Sequence, residues 1–130
     1  DFDELYCLGS RSFSIWNAET GERVFDSGDD FERITAADPL TAPIFNADNA
    51  GNGFKNRSRA KGPEPEGVAV ARLNNRTFAF IALERIGGVM VYDVTDPENP
   101  VFTDYVNTRD NTMFAGDNGA EGIVFVPAYD

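Results

Sequence analysis

Short apolar runs, separated by polar turns, recur along the chain and predict β-strands. The clearest series lies between Gly67 and Val106. The strands predicted there are 68–73, 77–83, 89–94 and 101–106. Asn74-Asn75 is typical of a tight hairpin turn, and the Pro-containing segment 95–100 is typical of a second turn. Four short strands over about forty residues match the size of one blade of a β-propeller.

The chain on either side of this unit fits the same repeat. Residues 1–27 predict the last three strands of an earlier blade, at 4–8, 11–17 and 22–26. Residues 28–66 predict a long inter-blade loop, because they are rich in Asn, Gly and Pro, and 29–37 are predicted to form a short helix. Residues 67–106 form the complete blade, and 107–130 a loop and the first strand of the next blade, at 123–126.

Repeated sequence segments within the chain support this order of strands. Glu66-Gly67-Val68 recurs as Glu121-Gly122-Ile123, and Ile15-Trp16-Asn17 resembles Val91-Tyr92-Asp93. The sequence therefore predicts an all-β chain that is a fragment of a larger propeller. It contains about two four-stranded antiparallel blades joined by a long loop, and both ends are interpreted as cuts through a longer protein.

The composition restricts the partners and the kinds of metal or catalytic site that the chain can have. Lys and Arg number 11 against 22 Asp and Glu, a net charge of −11 that makes nucleic acid an unsuitable partner. The absence of His excludes His-based nucleophilic triads and His-containing zinc sites within the chain, so any metal is expected to have oxygen ligands, as Ca²⁺ does. Cys7 stands alone in an apolar run and predicts a buried free thiol. No apolar stretch approaches the length that spans a membrane.

The blade topology predicts where charged residues gather. The loop 28–65, the turn 84–88 and the loop 107–120 are expected on one face, and the turns 74–75 and 96–100 on the other. The candidate metal ligands on the first face are four carboxylates: Glu64, Glu66, Glu84 and Glu121. The candidate anion-binding residues are five bases: Arg57, Arg59, Lys61, Arg85 and Arg109. The alternative is that these opposite charges simply pair with one another, and no catalytic residue is predicted.

Two tripeptides have the pattern of an N-glycosylation sequon. They are Asn56-Arg57-Ser58 and Asn75-Arg76-Thr77. They are relevant if the protein is secreted by a eukaryotic cell.

The run Lys61-Gly62-Pro63-Glu64-Pro65-Glu66-Gly67, followed by residues 78–93, closely resembles the choice-of-anchor I family. The resemblance extends to 11–16 and 107–110. The family includes bacterial surface or secreted propellers and mesenchyme-specific cell-surface glycoproteins of biomineralising animals. Some members are described as atypical alkaline phosphatases.

The resemblance implies an extracellular, periplasmic or cell-surface propeller. We expect a module that binds a surface or matrix, linked to a divalent cation such as Ca²⁺. The alternative is a metal-dependent phosphomonoesterase whose site lies on the face that carries the three loops. The expected partners are the remaining blades of the parent propeller, or a second copy that pairs through exposed strand edges.

Overall fold

The computed structural model describes residues 3–4 and 9–128, and its strands form two antiparallel sheets. The first sheet is a hairpin of β1 (Ser14–Trp16) and β2 (Arg23–Asp26). The second sheet has four strands in chain order: β3 (Pro65–Leu73), β4 (Arg76–Leu83), β5 (Val89–Asp93) and β6 (Val101–Val106). The predicted all-β fold with a four-stranded antiparallel blade is therefore confirmed, and the arrangement is consistent with part of a β-propeller.

A two-residue turn joins β3 to β4. Leu73 pairs with Arg76, so that only Asn74 and Asn75 lie between the strands. Their φ angles are 48° and 66°, the left-handed conformation that a type I′ turn requires at both positions. Asn tolerates this conformation better than most residues, which explains why the sequence predicted the hairpin correctly.

The inter-blade segment contains more regular structure than its composition indicates. A helix, α1, runs from Asp30 to Ala37, and a 3₁₀ helix covers Ala42–Ile44. Phe31 of α1 is fully buried, and Tyr92 of β5 contacts its ring edge-on and donates a hydrogen bond to Asp30. The core therefore lies between α1 and the inner strands β4 and β5. Among the described residues, neither helix is long or apolar enough to cross a membrane.

The strand predicted at 123–126, as the first strand of a further blade, stays a prediction, because within the described residues it has no neighbouring strand to pair with. The segment instead lies against the sheet. Phe125 stacks on Phe80 with ring centroids 6.1 Å apart, and a Cβ on Gly67 would lie only 2.8 Å from the main-chain oxygen of Glu121. Val124 and Val126 are more than 70 % exposed, so only one side of this apolar run is covered. A ladder also needs a neighbouring strand, which an apolar run does not supply.

The opening segment is also less regular than predicted. Only Ser14–Trp16 of the predicted strand 11–17 is in a ladder, and a register irregularity interrupts the pairing with β2 after Ile15. Residues 5–8 of the strand predicted at 4–8 lie outside the described residues. The thiol of Cys7, predicted to be buried and free, lies outside them too.

Candidate functional site

Parts of the three segments predicted to share one face, 28–65, 84–88 and 107–120, are in contact in the structure. We use the name loop face for residues 46–66, 84–88 and 107–118. Arg85 donates to the side chain of Asn49 at 2.7 Å, and Asn52 donates to the main-chain oxygen of Asp110 at 3.0 Å. These bonds join positions far apart in the sequence, and they hold the inter-blade segment against the two shorter loops.

Glu64 is fixed at the centre of the loop face by its backbone. It lies between Pro63 and Pro65, both of which restrict the chain, and it has a φ of 57°. Its main-chain oxygen accepts a hydrogen bond from the amide of Glu84 at 2.9 Å. A left-handed conformation at a non-glycine residue is uncommon, and here the neighbouring prolines and the contact with Glu84 maintain it.

The buried side chain of Glu64 is surrounded by basic groups. Its carboxylate accepts from Lys61 Nζ at 2.5 Å and from Arg85 Nε at 2.7 Å. Arg57 Nη2 lies 3.3 Å away. Burial raises the pKa of Glu64, but the hydrogen bonds and charges of Lys61 and Arg85 outweigh it and lower the pKa to about 2. Glu64 is therefore a charge-compensated hub.

Glu66 and Glu84 lie beside Glu64, but their negative charges are not balanced by several basic side chains as the charge of Glu64 is. One carboxylate oxygen from each of Glu64, Glu66 and Glu84 falls within a mutual distance of 4.8 Å. Glu84 is buried and Glu66 is exposed. Burial raises the pKa of Glu84, and a hydrogen bond with the Glu66 carboxyl raises it further, although Arg85 lies 3.0 Å from Glu84 and opposes the shift. Such a pair favours a shared proton or a cation between its two oxygens.

Glu121, the fourth carboxylate predicted as a metal ligand, is exposed and is not one of these three. The main chain of Glu121 passes close to Gly67, but its side chain does not join the group. The sequence repeat of Glu66-Gly67-Val68 at residues 121–123 marks equivalent positions in the chain. The side chains of Glu66 and Glu121 nevertheless do not lie at one site in the structure.

The five basic residues predicted to bind an anion occupy three different environments. Three of them, Arg57, Lys61 and Arg85, form ion pairs with Glu64. Arg59 is exposed. Arg109 is buried, with a relative exposure of 5 %, and its pKa is lowered by burial.

Arg109 connects all three segments of the loop face. Its Nη2 donates to the main-chain oxygens of Asp48 at 2.7 Å and Gly51 at 2.6 Å. Its Nη1 donates to the main-chain oxygen of Arg85 at 2.8 Å, and its Nε to the side chain of Asn52 at 3.2 Å. Planar guanidinium groups suit this kind of multiple donation. Arg109 therefore organises the loops that surround the carboxylates.

Comparison with known proteins gives a family match and one curated relative. The choice-of-anchor I domain profile matches residues 1–97, which include the three clustered glutamates. Gigasin-3a of Magallana gigas is 36 % identical to the chain over 96 residues, which cover 69 % of this chain and 33 % of that protein. The chain thus spans about a third of the length of this relative. None of the solved structures matches the chain.

Proposed function

Because the chain belongs to the choice-of-anchor I family, whose domains are surface-associated modules, we propose that it is an extracytoplasmic β-propeller module that binds a surface or matrix component through its loop face. The observation that carries the proposal is the construction of that face. Arg109 and Glu64 hold loops from three parts of the chain in one arrangement. Binding residues are commonly found on loops that a rigid scaffold positions, and preorganisation lowers the entropic cost of binding.

We further propose that a divalent cation such as Ca²⁺ binds between Glu66 and Glu84. Their proximity and the raised pKa of Glu84 support this, because a cation relieves repulsion between two ionised carboxylates. We expect Glu64 to contribute less to binding of the cation than the sequence predicted, because Lys61 and Arg85 already balance its charge. The cation would tie the exposed Glu66 to the buried frame of the loop face.

Added Ca²⁺ is expected to raise the melting temperature of the full protein. At about a hundredfold excess over the Kd, a ligand that binds only the folded state stabilises it by about 2.7 kcal/mol. Glu66→Gln should remove most of the calcium-dependent shift. The matched control is Glu98→Gln, which replaces an exposed glutamate on the β5–β6 turn and should keep the shift. A calcium response equal in Glu66→Gln and the wild type, or absent from both, contradicts the cation proposal.

A second candidate function is that of a metal-dependent phosphomonoesterase. The proximity of Lys61 and Arg85 to the carboxylates supports it, since bases hold phosphate beside a metal ion in such sites. Lys61 and Arg85 already form ion pairs with Glu64, which leaves them less able to hold a phosphate. We therefore prefer the binding module to the enzyme. Phosphatase assays of the full protein with calcium added or chelated distinguish the two. Loss of turnover in Glu66→Gln supports the enzyme, and no turnover in either condition with normal folding removes it.

We propose that the partners of the blade are the remaining blades of the parent propeller or a second copy. In the described sheet β3 and β6 are the edge strands. Val68 and Val70 on β3 are more than 60 % exposed, and an edge with exposed apolar side chains is prone to pair with another strand. Pairing between copies predicts that the sedimentation coefficient rises with concentration. A constant coefficient for a monomer excludes it.

A further inference from the structure

The two sequons lie in contrasting surroundings, and the proposed binding function uses neither of them. Asn56 lies within the loop face, and Asn75 lies on the β3–β4 turn. An N-linked glycan is bulky and polar and must remain in solvent after folding. The two sites therefore differ in whether the folded protein can accommodate it.

Asn75 meets this requirement. It occupies the second position of the two-residue turn, with a φ of 66°, and it is exposed. Its side chain forms no hydrogen bond with any other described residue, so that its amide nitrogen is not engaged. Thr77, which completes the sequon, is the second residue of β4, pairs with Arg72 of β3 and is partly exposed.

Asn56 does not meet the requirement, although it too is exposed as a residue. Its Nδ2 donates to the carboxylate of Asp48 at 2.8 Å, and its Oδ1 accepts from the amide of Asp48 at 2.9 Å. A Cβ built on Gly53 would lie 2.8 Å from the same Nδ2, so the backbone of Gly53 crowds the atom that would carry the sugar. A glycan there would displace the contacts that close the 46–57 loop.

We propose that Asn75 is an N-glycosylation site of this protein and that Asn56 is not. The modification rests on the extracellular location proposed above and on secretion of the protein by a eukaryotic cell. The donor is a lipid-pyrophosphate-linked oligosaccharide. Asn75 Nδ2 forms a bond to the anomeric carbon of the first sugar, the bond from that carbon to the pyrophosphate oxygen breaks, and the amide loses one proton as the lipid pyrophosphate leaves.

The position of Asn75 fits the use of the loop face for binding. β3 begins at Pro65, next to Glu64, and ends at Leu73, one residue before the turn. A nine-residue strand at about 3.3 Å per residue places the turn about 25–30 Å from the carboxylates. A glycan on Asn75 therefore extends from the end of the blade opposite the loop face and leaves that face open to a partner.

The test uses the full protein, secreted from a eukaryotic cell and digested with a glycosidase that converts each glycan-bearing Asn to Asp. Peptide mass spectrometry should then find Asp at position 75 and Asn at position 56. Asn75→Gly removes the acceptor but keeps the turn, because Asn-Gly is the preferred pair in a type I′ turn. Thr77→Val removes the sequon hydroxyl and keeps a β-branched residue in β4. Both variants should be secreted with normal circular dichroism and should lose one glycan, whereas Asn56→Gln should keep the wild-type glycan mass.

Two results overturn the proposal. One is an unmodified Asn75 in folded, secreted protein. The other is a glycan on Asn56 of that protein. If the proposed binding function fails while Asn75 is modified, the binding proposal alone is excluded, because the glycan assay does not depend on any ligand.

Discussion

Replacement of Arg109 by Met is expected to lower the free energy of unfolding by about 3–5 kcal/mol. The variant keeps most of the aliphatic stem and removes a guanidinium that donates to the main-chain oxygens of Asp48, Gly51 and Arg85. Each hydrogen bond to a charged group contributes about 1.5–3 kcal/mol, and the contributions within one network do not add fully. The oxygens left behind are partly buried and lose their donor, which adds a desolvation penalty. Urea denaturation of the full protein measures the difference.

The matched control for this prediction is Arg59→Met. Arg59 is an exposed base in the inter-blade segment to which Arg109 binds, and its replacement should change stability by less than about 0.5 kcal/mol. Arg109→Lys should fall between the two, because a lysine keeps the charge but lacks the planar fork that reaches several acceptors at once. Hydrogen exchange should locate the loss of protection in residues 46–57 and 84–88. Equal urea midpoints for Arg109→Met and the wild type would show that the loop face does not depend on Arg109.

Local patterns were sufficient to predict the blade. Strands β3 to β6 are marked by apolar runs of the right length and by turn residues such as Asn74 and Asn75, and antiparallel neighbours follow from short connections. Residues 123–126 have the same apolar pattern, yet they form no strand in the described chain, because pairing depends on a partner strand that the pattern cannot specify.

The candidate site was predictable in part. The sequence placed Glu64 between two prolines and beside Glu66, and the blade topology brought Glu84 to the same end of the sheet. Which base would bind which carboxylate depends on distances across three loops, and no spacing in the sequence encodes them. Arg109 was expected to be an anion ligand, and the structure instead engages it with carbonyl and amide oxygens. The Asn-rich run that supplies Asn49 and Asn52 was the only local signal for these contacts, since Asn side chains readily bond to neighbouring loops.

Glu64→Gln is expected to destabilise the full protein by about 2–4 kcal/mol at neutral pH. The substitution preserves the shape of the side chain and removes the one charge that faces Arg57, Lys61 and Arg85 together. Breaking a buried ion pair by removal of one partner costs about 3–5 kcal/mol. The lower part of our range allows for the exposure of the three bases, whose side chains are between 24 % and 46 % accessible and are partly screened by water.

The pH dependence gives this prediction a specific signature. Because the pKa of Glu64 is lowered from an ordinary 4.5 to about 2, its ionised form stabilises the fold above pH 4.5, and that contribution is lost as the pH falls towards 2. The difference in stability between the wild type and Glu64→Gln should therefore be full at pH 7, decline below pH 4.5 and be small near pH 2. Urea denaturation across this range measures it, with Glu98→Gln as a control whose exposed side chain should give a small difference at every pH. A difference between the wild type and Glu64→Gln that stays constant from pH 7 to pH 2 would mean that the lost contact is steric rather than electrostatic, and Glu64 would not be the charge hub of the loop face.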